Sequence, residues 1–166
     1  QLMEGVSPQE IYYLDYENNM KYNEFRCFGF CLGAEGGCFL IRKQAFLPVP
    51  EHFLVDDFFT TLQVVRAGGV VIFDREAICR EDSPGDKKTE LKRKTRIQIG
   101  NMQNLVYFRS MVNPFTLVGF AFISHKILRW FTPILLLLTT AAAFGLSAVD
   151  PLFTILGIST LALYLS

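Results

Sequence analysis

The 166-residue sequence has no excess of either charge, with 16 Lys and Arg against 16 Asp and Glu. A chain without a global field gives no reason to expect a nucleic-acid partner. It has only two histidines, His52 and His125, isolated from each other and from the cysteines. The four cysteines (Cys27, Cys31, Cys38 and Cys79) fall at no zinc-ligand spacing. They read as packing residues in a reducing compartment, and no metal site is assigned. Internal repeats and low-complexity tracts are missing. No charged start followed by an apolar run opens the chain, so Gln1 reads as lying in mid-domain and no signal peptide is expected. Charge itself runs out: from Met111 onward only Lys126, Arg129 and Asp150 remain. The neutral average therefore hides a mixed, soluble part up to about Arg109 and an apolar part after it.

In the apolar part, "ILRWFTPILLLLTTAAAFGL" (127–146) has the roughly 20-residue length of a bilayer span. Pro133 near its start is tolerable in a membrane helix. After "SAVDP", the run "LFTILGISTLALYLS" opens a second apolar helix too short to cross, so the expectation is a truncated helix and a fragment. "NPFTLVGFAFISHKI" (113–127), short and apolar, reads as a helix lying on the membrane surface. The segment "KKTELKRKTR" (87–96) carries six basic residues and one acid. Positive loops stay cytoplasmic, which puts the soluble part in the cytosol and Asp150 in a turn on the far side. The expected organisation is a soluble domain over 1–110, an interfacial helix over 111–126 and membrane helices over 127–166.

The soluble part reads as alternating helix and strand. "SPQE" (7–10) is a helix start, with Ser7 as cap, Pro8 at the first position and Glu10 closing a capping box; the helix runs to about Phe25. "CFGFCLGAEGGCFLIRK" follows, a Gly-rich connection entering a buried strand from Cys38 to Ile41. Glycines 33, 36 and 37 suit positive φ or close backbone approach, for a turn or for a binding site. "EHFLVDDFFTTLQVVRAGG" (51–69) sets two acids before a helix whose face is Phe58, Phe59, Leu62 and Val65, with two glycines as the stop. Asp57 is the natural N-cap; one acid suffices for that, so Asp56 has no assigned task. "VVIF" (70–73) and "AICRE" (77–81) read as strands. A long helix from Lys88 to about Ser110 carries an apolar stripe of Leu91, Ile99, Met102 and Val106. Arg93, Arg96, Gly100 and Asn104 fall on another face. That face suits either a phosphate ligand, held by guanidinium forks over a glycine, or anionic lipid headgroups.

Taken in order, "GAEGGCFLIRK", "VDDF", "AGGVVIFDREAICRE", "KRKTRIQIGN" and "SHKILRWFTPILLLL" resemble the C-terminal half of a membrane-bound family 2 glycosyltransferase, the class of cellulose, chitin and hyaluronan synthases. The resemblance covers nearly the whole chain. It implies an α/β fold, part of a GT-A-like domain, that moves a sugar with inversion from a nucleotide-diphosphate donor to a glycan or lipid-linked acceptor at the cytosolic membrane face. It implies that Asp57, preceded by Asp56, is the general base. The family's Q-x-x-R-W motif falls on "RKTRI", with Arg96 as the arginine that neutralises the diphosphate leaving group. Arg93 stands where the family has glutamine and Ile97 where it has tryptophan, which argues for a less specialised transferase than the processive synthases. The "GGCF" turn makes Gly36, Gly37 and Cys38 substrate-lining residues. The family also uses a divalent metal (Mg or Mn) held by a D-x-D motif. No D-x-D occurs in this sequence. Those ligands are expected in an N-terminal half outside the chain, so the fragment alone is expected to be inactive. A non-catalytic membrane-anchored module that binds anionic lipid or a protein partner is the reading from a different class.

Overall fold

The computed structural model describes residues 8–34, 36–77 and 87–165. The regular elements among the described residues are helices: α1 Pro8–Phe28, α2 Asp56–Arg66, α3 Lys87–Tyr107, α4 Leu117–Phe122, α5 Leu128–Gly145 and α6 Pro151–Leu165. A 3₁₀ turn at Lys43–Ala45, another at Arg109–Met111 and a π-helical turn at Ile123–Ile127 complete the elements. The chain divides into two compact units, one ending at Phe122 and the other starting at Ile123.

The expected α/β, GT-A-like architecture is not found: among the described residues there is no strand and no sheet. The Cys38–Ile41 and 70–73 runs are irregular. A strand is defined by a neighbour that satisfies its backbone groups, and propensity alone does not create one. Among the described residues the 70–73 run receives one backbone bond, from Cys31 N to Val71 O at 2.8 Å, and Val70 and Ile72 stay exposed. The other expected strand, 77–81, lies outside the described residues except for Ala77, as does Ser7 of the expected capping box.

The first unit is organised around α2. Phe58, Phe59, Leu62 and Val65 are buried, as the helical spacing predicts. Thr60, Thr61 and Gln63 are buried too, so α2 is enclosed on nearly every side. The expected glycine stop is present: Gly68 takes φ 78° and its N–H reaches Val65 O at 3.0 Å. An aromatic cluster forms the wall beside α2. Phe59 lies 4.6 Å from Phe53, 5.2 Å from Tyr107 and 5.2 Å from Phe108 between ring centroids, and Arg66 caps the Phe108 face at 5.1 Å.

Helix α3 turns a different face inward from the one its apolar residues mark. Leu91, Ile99 and Val106 are exposed, while Gly100, Asn104 and Phe108 are buried. The reason is close approach: a Cβ on Gly100 would stand 2.4 Å from Val55 Cγ2. The cysteines divide as well, with Cys31 buried, Cys27 and Cys38 exposed, and Cys79 outside the described residues.

In the second unit, α5 and α6 are held by Thr140 and Thr160, whose hydroxyls meet at 2.9 Å, and by the Phe144 ring lying over Gly157. Small residues and hydroxyl pairs of this kind let apolar helices approach where no water drives them together. The helical stretch Leu117–Gly145, 29 residues long, is long and apolar enough to cross a membrane.

Candidate active site at the start of helix α2

Asp56 and Asp57 occupy the first turn of α2, and the N-cap is Val55, whose side chain makes no cap bond. Asp57, expected from the sequence to be the N-cap, is therefore two positions past it. Its Oδ1 accepts the Phe58 N–H at 2.6 Å, and both acids sit where the helix dipole favours negative charge. Asp56 is exposed and Asp57 half-buried.

Burial dominates the chemistry of Asp57. It pushes the carboxyl above its ordinary value; the Phe58 amide opposes this, the neighbouring Asp56 charge adds to it, and Lys21 pulls back. A helix start by itself makes a carboxylate less basic. Here desolvation outweighs that effect, and the result is a stronger base than a free aspartate.

Two of the sequence-derived candidates meet. A Cβ added to Gly36 would lie 2.6 Å from Asp57 Oδ2, so the Gly36 backbone faces the carboxylate directly. Gly37 and Cys38 continue this turn and are exposed. Gly33, at φ 119°, supplies the positive φ expected of the loop.

The turn is held in place by residues that the sequence does not mark. Glu24 Oε2 accepts the Leu32 N–H at 3.1 Å, and Thr61 Oγ1 accepts the Ala34 N–H at 3.0 Å. Lys21 and Glu24, charged residues of α1, are only 4% and 2% exposed. Their signal is a spacing of three within a charged helix, which ordinarily marks a solvated face.

The arginines stand differently. Arg93 is committed to Glu90 by two parallel bonds, Nε to Oε2 and Nη2 to Oε1, each at 3.0 Å. That contact lowers the Glu90 carboxyl. Arg96 is exposed, one helical turn before Gly100, which abuts Val55. Asn104 Nδ2 donates to Val55 O at 3.2 Å and Gly100 O at 3.0 Å, and Gln103 bridges His52 O and Leu54 N. Helix α3 thus braces the residues that lead into the acidic pair.

Among the described residues, no group of three or more His, Cys, Asp or Glu is arranged to hold a metal ion.

The model of a family described as glycosyl transferase family group 2 matches residues 9–165. Comparisons with curated proteins and with solved structures found no significant match. With residues 9–165 matched, nearly the whole of its length, the chain belongs to glycosyl transferase family group 2.

Proposed function

We propose that Asp57 is the general base of an inverting glycosyl transfer from a nucleotide-diphosphate sugar to a glycan or lipid-linked acceptor, at the cytosolic face of a membrane. The observation that carries the reading is the Asp57 carboxylate itself: half-buried, raised in basicity by desolvation, and bordered at Oδ2 by a residue without a side chain. In the step, Asp57 takes the proton of an acceptor hydroxyl as its oxygen bonds to the anomeric carbon. The bond from that carbon to the diphosphate breaks, and the electron pair leaves with the diphosphate. Asp56 keeps the Asp57 carboxyl basic through like-charge repulsion. Arg96, exposed on α3, is assigned to the diphosphate charge, because a guanidinium binds such oxygens with charge-assisted hydrogen bonds. Transfer is expected only where a donor-binding segment accompanies this chain. In this reading the 87–96 basic run is cytosolic and the apolar run 127–146, supported by the long apolar helical stretch Leu117–Gly145, is the bilayer span.

The test uses the full-length protein in membranes with UDP-glucose, UDP-N-acetylglucosamine and GDP-mannose as donors. Asp57→Asn is expected to lower transfer by about 10²–10⁴-fold, the usual contribution of a general base, while donor binding persists. Wild-type turnover in this variant would remove the assignment.

A further inference from the structure

One hydroxyl joins the two halves of this site. Thr61 is 3% exposed. Its Oγ1 donates to the Asp57 carbonyl at 2.9 Å and accepts the Ala34 N–H at 3.0 Å. The first bond is a common local one, in which a helical threonine bonds the carbonyl four residues back. The second is not local: Ala34 is 27 residues away in sequence, in the turn that leads to Gly36. That turn is also fixed from α1, where buried Glu24 accepts the Leu32 N–H at 3.1 Å. The backbone from Leu32 to Ala34 is therefore tied to two helices, and Gly36 just beyond it borders Asp57 Oδ2.

We infer that Thr61 is a positioning residue for Asp57, locking the Leu32–Ala34 backbone to the first turn of α2 and so setting the space in which the carboxylate works. The inference rests on the reading of Asp57 as the base. Its physical basis is that a hydroxyl can accept from the turn and donate to the helix at once, whereas an isosteric methyl does neither. Removing it leaves the part-buried Ala34 N–H without its acceptor, and the backbone there relaxes away from Asp57. Misplacement of a reacting group by about 1 Å costs up to about 10²-fold in rate.

The experiment compares Thr61→Val, Thr61→Ser and Asp57→Asn in the full-length protein, with the same three nucleotide sugars and with turnover normalised to folded, monodisperse protein. Thr61→Val is expected to lower kcat at least about tenfold with the donor KM unchanged. Thr61→Ser, which retains the hydroxyl, is expected to restore turnover to within about threefold. A role limited to stability would reduce the amount of folded protein and leave turnover per folded molecule unchanged. Normal kcat in Thr61→Val beside an inactive Asp57→Asn overturns the positioning role and leaves the base assignment standing. An active Asp57→Asn removes the base, and the positioning role falls with it. If Thr61→Val does not fold, Thr61→Ser decides: a folded serine variant with lost turnover overturns the inference, and one with retained turnover supports it.

Discussion

Gly36 faces Asp57 so closely that a Cβ on the glycine would stand 2.6 Å from the carboxylate's Oδ2. The first prediction follows from this contact. Gly36 is not in the left-handed region, so alanine suits its backbone and lowers the entropy of the unfolded chain, a gain of about 0.4–1 kcal/mol. The methyl nevertheless displaces the carboxylate. Gly36→Ala is expected to melt no lower than wild type and to lose about tenfold or more in kcat. Thermal unfolding and initial rates, measured on one preparation, check both halves.

The pH profile offers a second test. A base works only when deprotonated, so kcat/KM rises with pH through the Asp57 pKa, and its acid limb lies above the ordinary aspartate value. Asp56→Asn removes a charge that raises this pKa and should move the limb down. Lys21→Met removes a charge that lowers it and should move the limb up. A limb that ignores both substitutions would belong to another group.

Stability should respond in the opposite sense to activity. Because the folded-state pKa of Asp57 is raised, the folded protein holds this proton more tightly than the unfolded chain does. Stability therefore falls as pH rises from the unfolded pKa through the folded one. The loss is complete above that window, where the buried carboxylate is ionised. Asp57→Asn, which keeps an acceptor for the Phe58 N–H, should melt higher than wild type at pH 7. The gap should close as pH falls below about 4, where both states are protonated. A melting difference independent of pH would contradict this linkage.

Gly100 gives a purely structural prediction. Alanine in mid-helix gains about 0.8–1 kcal/mol of propensity over glycine. Here its Cβ would lie 2.4 Å from Val55 Cγ2 and 3.1 Å from Val55 N, so the acidic pair's lead-in must move. Overpacking of this kind costs about 1–3 kcal/mol. The cost is expected to exceed the gain, with Gly100→Ala destabilised by about 1 kcal/mol in denaturant titration and less active.

The arginines should separate in product binding. Arg96→Ala is expected to weaken UDP affinity about tenfold or more, as for a charge-assisted contact worth 1.5–3 kcal/mol. Arg93→Ala should change it less, because that guanidinium is held by Glu90. Equal UDP affinity in both variants, together with weaker binding to anionic liposomes, would favour lipid headgroups as the partner of this face.

Periodicity and local chemistry made much of the chain legible without coordinates. The inward face of α2 follows from Phe58, Phe59, Leu62 and Val65, and its end from Gly68 and Gly69, because these are properties of one turn of chain. The apolar length that ends at Gly145 is likewise a matter of composition. The acidic pair and the Gly-rich turn stand out as candidates for chemistry by residue type alone.

What only the tertiary structure decided is which of these features meet. The backbone leading to the Gly36–Asp57 contact is held by hydrogen bonds that Glu24 and Thr61 accept from Leu32 and Ala34, across 8 and 27 residues, and no local pattern encodes such bonds. Helix α3 misleads for a related reason: its buried face is marked by a glycine and an asparagine, while Leu91, Ile99 and Val106 face outward. Close backbone approach selects small residues, and a hydrophobic pattern does not register them. The strand-like runs at 38–41 and 70–73 carry the right residues, yet form no sheet among the described residues. A ladder is a property of two segments, and its free energy comes from a partner that a single run of sequence does not specify.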